Sequence, residues 1–239
     1  WCWLMSLYIF FAFRKPWSNI RELQPWVVAI SMGVQAFFVL LVLIYGNPFN
    51  RLWIDAAGNI TPALFQPAGL STYTALDGQG LNPLLRHPGM IIHPPMLYLG
   101  FVGLTIPFAY GMAALIAKDK TDNWIRASRR SMLVAWLFLS LGLIMGSRWA
   151  YDVLGWGGYW GWDPVENSAL LPWLLATPFL HSVIIQEKRG MFKIWNMVLI
   201  MLSFCLMIIG TLATRTGLLS SVHAFARSSL SAPFLAFVG

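Results

Sequence analysis

Near its middle the chain reads LGWGGYWGWDPVENSALLPW over residues 154–173, a run in which aromatic rings are separated by glycines. Its aromatic residues are Trp156, Tyr159, Trp160, Trp162 and, further on, Trp173. Glycine carries no side-chain bulk and reaches backbone angles that other residues avoid, so such a loop can lay several rings against one planar partner. The pattern predicts a flat aromatic surface of the kind that binds a porphyrin. An interfacial aromatic belt, common in membrane proteins, is the alternative.

The same stretch contains a helix start. Asp163 is a suitable N-cap, Pro164 suits the first helical position, and Glu166 occupies the third, which together make a variant of the capping box. Two carboxylates near a binding surface could also act as acid and base. We favour capping, in which Asp163 attaches the aromatic loop to a rigid helix, and we assign no acid–base residue.

The composition predicts a membrane protein. Of the 239 residues, 58% are hydrophobic and only 10% are charged, which would be abnormal for a soluble domain. The net charge of +7 could suggest nucleic acid as a partner, but the basic residues form short clusters between long apolar runs. The fold class that we predict is therefore all-α, a polytopic transmembrane helix bundle with external loops.

Five apolar runs have the length of about 18 to 22 residues that crosses a bilayer. They are Trp26–Tyr45, Met96–Ala117, Met132–Trp149, Asn167–Ile185 and Ile194–Ala213, with partial spans at Trp1–Phe13 and Leu230–Gly239. We interpret residues 1–239 as one membrane domain that is a piece of a longer chain, and no signal peptide is evident.

Basic residues occur in alternate loops, which gives the bundle a predicted orientation because Lys and Arg favour the cytoplasmic side. The clusters contain Arg14, Lys15 and Arg21, then Lys118, Lys120, Arg126, Arg129 and Arg130, then Lys188, Arg189 and Lys193. The other loops, residues 46–95, 150–166 and 214–229, are then external. They would face the periplasm of a bacterium, or the intermembrane space of a mitochondrion. Cys2 and Cys205 are too far apart in sequence to indicate a metal or disulfide motif.

Two of the four histidines fall in predicted external segments. His93 precedes Pro94 and Pro95, so we expect it to be extended, immediately before a helix that starts at Met96. His223 lies in the last external loop. A pair of neutral imidazoles beside an aromatic surface is typical of axial ligands to haem iron, whereas two ordinary loop histidines bonded to backbone are the alternative. His87 is a weaker candidate that we expect at the surface.

His181 differs because it lies inside an apolar run, where an ionisable residue suggests function. Counted from a helix start at Pro164, it would lie roughly 25 Å along the helix at ~1.5 Å per residue, too deep to share a metal with the other two. A hydrogen bond to a neighbouring helix is the alternative. Arg148 and Arg215 are external cations that could meet haem propionates or serve as snorkelling anchors.

These segments resemble a known family. Residues 156–167 resemble the tryptophan-rich WWD signature of haem-handling membrane proteins, although Tyr159 stands where Trp is usual. The segments His93-Pro94-Pro95, Leu180-His181-Ser182 and Ser221-Val222-His223-Ala224-Phe225 resemble, in the same order, those of CcmF-type haem lyase components of cytochrome c maturation. The resemblance runs from about Leu81 to Phe225.

The resemblance implies a function and two haem sites. His93 and His223 would hold a transient substrate haem beneath the aromatic loop, and His181 would be one ligand of an intramembrane haem b whose second ligand lies outside this chain. The enzyme would join haem to the Cys-x-x-Cys-His motif of an apocytochrome c, mainly by holding both in register. Implied partners are the haem chaperone CcmE and CcmH/CcmI-type subunits, at an inner membrane.

Two other functions fit parts of the sequence. A haem transport or delivery protein of the WWD superfamily would share the aromatic loop and the external histidines. A haem-b electron-transfer membrane subunit would use His181 but would not need His93, His223 or the aromatic loop.

Overall fold

The computed structural model describes residues 2–13, 20–78, 80–155, 157–216, 219–221, 223 and 230–238. Within these residues the chain is a helix bundle with one small sheet. Its helices are α1 (Cys2–Phe13), α2 (Gln24–Ile44), α3 (Gly89–Gly103), α4 (Thr105–Ile116), α5 (Asn123–Val153), α6 (Pro164–Arg189), α7 (Lys193–Thr216) and α8 (Ser231–Val238). Trp156 and the basic residues Arg14 and Lys15 lie outside the described residues.

Five helical segments are long and apolar enough to cross a membrane: α2, α3 with α4, α5, α6 and α7. The predicted all-α transmembrane bundle is therefore confirmed. The helices extend beyond the predicted apolar runs because polar residues continue them at their ends. In α5 the 31 residues span roughly 46 Å at ~1.5 Å each, more than the hydrocarbon layer. Arg126, Arg129 and Arg130 consequently belong to α5 rather than to a loop.

The predicted start of α3 is wrong. The helix begins at Gly89, so His93 is helical, and Pro94 and Pro95 lie inside the helix. Pro88 already has helical angles (φ −55°, ψ −27°), and the first turn closes through bonds from the amides of Met90 and Ile91 to the carbonyls of His87 and Pro88, each 3.0 Å. A proline can therefore start this helix, but it is Pro88 rather than Pro94.

Helices α3 and α5 approach each other closely through glycines. A Cβ atom on Gly142 would come within 2.8 Å of the Leu97 Cα atom, and one on Gly100 within 2.7 Å of the Leu139 amide nitrogen. Small residues on transmembrane helices allow such backbone contact. Because Gly146 follows one turn after Gly142, the groove continues along α5 to the end where α3 begins.

The connection between α2 and α3, predicted only as an external loop, contains a three-stranded antiparallel sheet. Its strands are β1 (Arg51–Ile54), β2 (Ile60–Ala63) and β3 (Ser71–Thr72), in the order β2-β1-β3. The buried Trp53 donates its indole N–H to the Ala63 carbonyl over 2.9 Å. The predicted loops at 46–95, 150–166 and 214–229 are shorter in the structure, because α3 starts at Gly89, α5 ends at Val153 and α7 ends at Thr216.

Candidate functional site

A cavity of about 540 Å³ lies at the end of the bundle where α3 and α6 begin. Its walls come from α3, α5, α6, α7 and the adjoining loops, and they are mostly apolar. Polar groups are few, and those that matter for the chemistry belong to His93, Tyr98, Trp149, Arg215 and His223. Small-molecule sites typically have this volume and this mixture of apolar walls with a few polar groups.

His93 is fixed on one wall of the cavity by the glycine groove of α5. Its Nδ1 atom lies 2.8 Å from the carbonyl oxygen of Gly142, which makes Nδ1 the protonated nitrogen because a carbonyl can only accept. The ring packs directly on Gly146, where a Cβ atom would come within 2.6 Å of the His93 Cε1 atom. Nε2 is therefore left as the nitrogen with a free lone pair.

His223 is fixed by the helix start of α6. Its Nδ1 atom lies 3.1 Å from a carboxylate oxygen of Asp163, 60 residues earlier in the chain. The same oxygen accepts a hydrogen bond from the Ser221 hydroxyl over 2.6 Å, and the Ser221 oxygen accepts the backbone N–H of His223 over 3.0 Å. As in His93, the ring nitrogen left with a free lone pair is Nε2. The structure thus brings the two predicted rim histidines to one cavity.

The predicted capping box is present, and it also holds the aromatic loop. Asp163 is the N-cap and accepts the Val165 amide over 3.0 Å. Glu166 accepts two backbone amides, from Asp163 over 3.2 Å and from Gly161 over 3.0 Å. The Asn167 side chain donates to the Trp162 carbonyl over 3.1 Å. The last residues of the loop are therefore attached to the first turn of α6.

The carboxyl of Asp163 stays ionised in this position. Burial opposes its ionisation, but hydrogen bonds from Ser221, His223 and the Val165 amide outweigh that effect and hold the pKa of Asp163 below its ordinary value. Only 10% of its side chain is exposed. A buried anion therefore lies directly behind His223.

The described rings of the aromatic loop do not form one flat surface, so this prediction is wrong for them. Trp160 lines the cavity, but Trp162 is nearly perpendicular to it, at 86°, and is 73% exposed. Tyr159 stacks on Tyr151 of α5 at 4.5 Å. Trp173 lies in α6 and donates its N–H to Ser140 of α5. Glycine spacing permits rings to align, but the loop backbone sets each ring plane, and Trp162 has a positive φ of 55°.

The two predicted cations lie in different surroundings. Arg215 lines the cavity and donates to the Tyr98 hydroxyl over 2.9 Å. Arg148 is not among the lining residues, and it pairs instead with Asp152, one turn further along α5, over 3.0 Å. Asp152 also lies 3.8 Å from His87, whose side chain is 34% exposed. Arg215 therefore suits a bound anion, and Arg148 has a local partner on the outside of α5.

Sequence reasoning missed two groups in the cavity wall, Tyr98 and Trp149. The indole nitrogen of Trp149 is buried and has no hydrogen-bond partner among the described residues. An unpaired buried donor costs stability unless a ligand or water accepts from it. No sequence signal distinguished these two aromatic residues from the many others in the apolar spans.

His181 lies apart from this cavity. It is on α6, 17 residues after Pro164, roughly 25 Å along the helix at ~1.5 Å per residue, and its side chain is exposed on the outside of the described bundle. No other histidine of the described spans lies at its depth, and no cluster of three or more His, Cys, Asp or Glu residues suited to a metal occurs among the described residues.

The fold and the site together define a class of protein: a polytopic helical membrane protein with a pair of imidazoles in one largely apolar cavity. The chain belongs to the cytochrome C assembly protein family, whose model matches residues 1–219. The resemblance to CcmF-type components is confirmed. The chain is 42% identical over 226 residues to the cytochrome c-type biogenesis protein CcmF of Haemophilus influenzae, and 40% identical over 239 residues to that of Escherichia coli K12.

The matches cover nearly all of this chain but only part of the relatives. They include 95% and 98% of this chain, and 32% and 34% of the two CcmF proteins. A solved structure of the cytochrome c heme lyase CcmF superposes on the whole chain with a TM-score of 0.72 and 35% identity, over 33% of its own length. The chain therefore spans about a third of the proteins it matches. With its five candidate spans and these bacterial relatives, it is an inner-membrane protein, since helical bundles rather than barrels occupy that membrane.

Proposed function

We propose that this chain is the haem-holding part of a cytochrome c haem lyase, which joins haem covalently to an apocytochrome c. The observation that carries the proposal is the cavity between His93 and His223, in which each imidazole has its Nδ1 atom occupied and its Nε2 atom free. Two such nitrogens are the common axial ligands of a six-coordinate haem iron. The largely apolar walls suit the macrocycle, and Trp160 supplies an aromatic face.

Arg215 and Tyr98 would receive the propionates of the substrate haem. A guanidinium held by a hydroxyl is suited to carboxylates, and the unpaired N–H of Trp149 offers a further donor in the same cavity. The substrate haem would then be held at its iron by the two histidines and at its propionates by Arg215. Its vinyl groups would remain accessible to the apocytochrome. Arg148, which is bound to Asp152 away from the cavity, would act as an anchor on the outside of α5 instead.

The reaction needs positioning more than acid–base groups. Each cysteine thiol of a Cys-x-x-Cys-His motif adds across a vinyl group: the sulfur forms the new bond to one vinyl carbon, and a proton completes the other. No net oxidation occurs. The chain would contribute the fixed orientation of haem against the incoming cysteines, which converts an encounter between two molecules into a reaction within one complex. The histidine of the motif would then replace one of the two protein ligands.

His181 would hold a resident haem b in the membrane. Its exposed imidazole on α6 fits one axial ligand, and the other would come from beyond the described helices. When bound, such a haem supplies one-electron chemistry, and His181 lies roughly 18 Å along α6, at ~1.5 Å per residue, from Ala169 in the cavity wall. This exposed position also favours the second candidate function, a haem-b electron-transfer subunit. The partners CcmE and CcmH/CcmI, the periplasmic orientation of the cavity and a haem-delivery role remain predictions.

The test uses the full-length protein with single changes at His93 and His223. For each of the changes His93→Ala and His223→Ala we expect the yield of covalently attached cytochrome c to fall at least about 100-fold, more than the loss caused by changing a residue that only orients a metal ligand. Bound haem per protein and haem-stained cytochrome c are measured together. His87→Ala is the matched control, because His87 lies within six residues of His93 but not on the cavity.

The outcomes separate the candidates. Loss of haem and of product with the two cavity histidines, but not with His87, supports the lyase. Normal attachment with His93→Ala would contradict it and favour the electron-transfer subunit, in which only His181→Ala would remove the resident spectrum. Loss of bound haem in both variants, with no thioether-bound cytochrome c formed by the purified wild-type protein from haem and apocytochrome c, would favour a delivery role.

A further inference from the structure

We propose that Asp163 is a positioning residue that sets the tautomer and the donor strength of His223, so that the two imidazoles of the cavity are unequal ligands. The inference rests on the proposed function, because it concerns how this chain holds the iron of its substrate. It goes beyond the capping role that the sequence assigns to Asp163.

A closed set of hydrogen bonds supports this role. One carboxylate oxygen of Asp163 accepts from His223 Nδ1 at 3.1 Å, from the Ser221 hydroxyl at 2.6 Å and from the Val165 amide at 3.0 Å. The Ser221 oxygen in turn accepts the backbone N–H of His223. The ring of His223 is thus bonded directly to this carboxylate oxygen, and its backbone is linked to the same oxygen through Ser221. A helix cap alone needs only the bond to Val165.

The hydrogen-bond acceptor of His93 is neutral, whereas that of His223 is charged. The Nδ1–H of His93 donates to the neutral carbonyl of Gly142, whereas that of His223 donates to a carboxylate that is about nine-tenths buried. Hydrogen bonds to ionised groups are roughly twice as strong as neutral ones. A carboxylate behind a ligating imidazole raises the basicity of the nitrogen that binds metal. His223 should therefore be the stronger donor to iron, while the geometry of His93 depends on α5.

The same carboxylate links the ligand to the aromatic loop. Asp163 begins α6, and its own amide together with that of Gly161 is held by Glu166. Trp160 directly precedes Gly161 in the chain, and it lines the same cavity as His223. A change that frees His223 from Asp163 should therefore alter ligation without unfolding the helix start, provided that the new residue still caps it.

The decisive variants are Asp163→Asn and Asp163→Ser. Asp, Asn and Ser are about equally good N-caps, so all three should retain the start of α6. The three residues differ in the hydrogen bond that they can make to His223. Asn offers a neutral acceptor in place of the carboxylate, and Ser is too short to reach the imidazole. We expect the hemin dissociation constant of the full-length protein to rise in the order Asp, Asn, Ser, reaching roughly 10- to 100-fold for Ser.

A spectroscopic readout separates ligand strength from simple loss of fold. In the hemin-loaded protein we expect the reduction potential to rise and the low-spin ferric EPR g-values to change in both variants, because an imidazole without a carboxylate partner is a weaker donor to iron. Asp152→Asn is the matched control: Asp152 also lies near a histidine, His87, but not on the cavity. It should leave hemin affinity and the EPR spectrum unchanged.

The variant His223→Ala separates failure of the positioning role of Asp163 from failure of the proposed function. If His223→Ala loses hemin while Asp163→Asn and Asp163→Ser match the wild type in affinity, potential and g-values, Asp163 is only a cap and this inference is overturned. If His223→Ala itself binds hemin normally, the proposed function fails and the inference fails with it. A graded loss across Asp163→Asn and Asp163→Ser, with Asp152→Asn unaffected, supports the positioning role.

Discussion

The two ends of α6 contrast in how their polar groups are used. At the Pro164 end, His93, His223 and Trp149 line one cavity, each imidazole is bonded through Nδ1, and the buried indole N–H of Trp149 has no hydrogen-bond partner among the described residues. At the Arg189 end, buried polar side chains satisfy one another. One end of α6 therefore borders a site prepared for a ligand, and the other end takes part in a closed structural network.

The closed network joins α5, α6 and α7. Gln186, which is 1% exposed, donates to Asp122 over 2.9 Å and accepts from Asn196 over 2.8 Å. Asn196 is also bonded to Ser182, and Lys193 lies 3.5 Å from Asp122. Buried groups that pair fully add rigidity, whereas those left unpaired mark a place that a ligand must complete. Changes at the two ends should consequently have separable effects.

The largest effect should come from closing the groove that holds His93. In Gly146→Ala the new Cβ atom would lie 2.6 Å from His93 Cε1, so the ring must move and its bond to Gly142 is lost. We expect hemin affinity to fall roughly 10- to 100-fold, as for other changes behind a metal ligand. Hemin titration of the purified protein measures it. Gly33→Ala, where a Cβ atom meets nothing within 4 Å, is the control, and an equal loss there would contradict the explanation.

The opposite result is expected at the other end, with Asn196→Leu. This change leaves the buried Gln186 side-chain carbonyl without its donor, at a cost of about 1–3 kcal/mol, while the Ser182 hydroxyl keeps its bond to the Pro178 carbonyl. Thermal unfolding in detergent should show the lower stability, while hemin affinity should not change. Ile194→Ala, at a side chain that is 83% exposed, should alter neither quantity. Weaker hemin binding by Asn196→Leu would mean that the two ends are coupled.

A smaller effect should follow from Tyr98→Phe within the cavity. The hydroxyl that accepts from Arg215 is lost, and the guanidinium is oriented less well. A typical hydrogen bond contributes about 1 kcal/mol, so hemin affinity should fall about fivefold. Tyr73→Phe, directly after β3 of the sheet, serves as the control for loss of a phenol. If the affinity for a haem dimethyl ester, which has no free propionates, falls equally, Tyr98 does not act through the carboxylates.

The smallest effect concerns a turn of the sheet near the cavity end. Asp55 accepts from the side chain and amide of Asn59 and from the amide of Ala57, and these bonds lower the pKa of its carboxyl. Because the pKa of Asp55 is lower in the folded chain, its ionised carboxylate stabilises the turn at pH values above the unfolded pKa, near 3.9. This stabilisation is lost as the pH falls through the lower, folded pKa. The protection of the Asn59 amide from hydrogen exchange, relative to the intrinsic rate at the same pH, should therefore fall below about pH 4. In Asp55→Asn this fall in protection should be absent.

Local rules in the sequence accounted for much of this structure. Runs of apolar residues located all five spans, and the spacing of Asp163, Pro164 and Glu166 gave the capping box that the structure contains. Both depend on neighbours along the chain: span length on the bilayer, and the cap on residues within one turn. The same local reasoning placed the start of α3 at the wrong proline, because Pro88 and Pro94 are equally compatible with a first turn.

The sequence alone established a membrane bundle, the capped start of α6 and three histidines worth testing, one of them deep in a span. Only the tertiary structure decided that His93 lies on a glycine groove of α5, that His223 is bonded to Asp163 across 60 residues, and that Trp160 and Trp162 are perpendicular. These features arise from packing between segments distant in sequence. Helix propensity and hydropathy describe each segment separately, and the side-chain contacts that form the cavity exist only after the helices have packed.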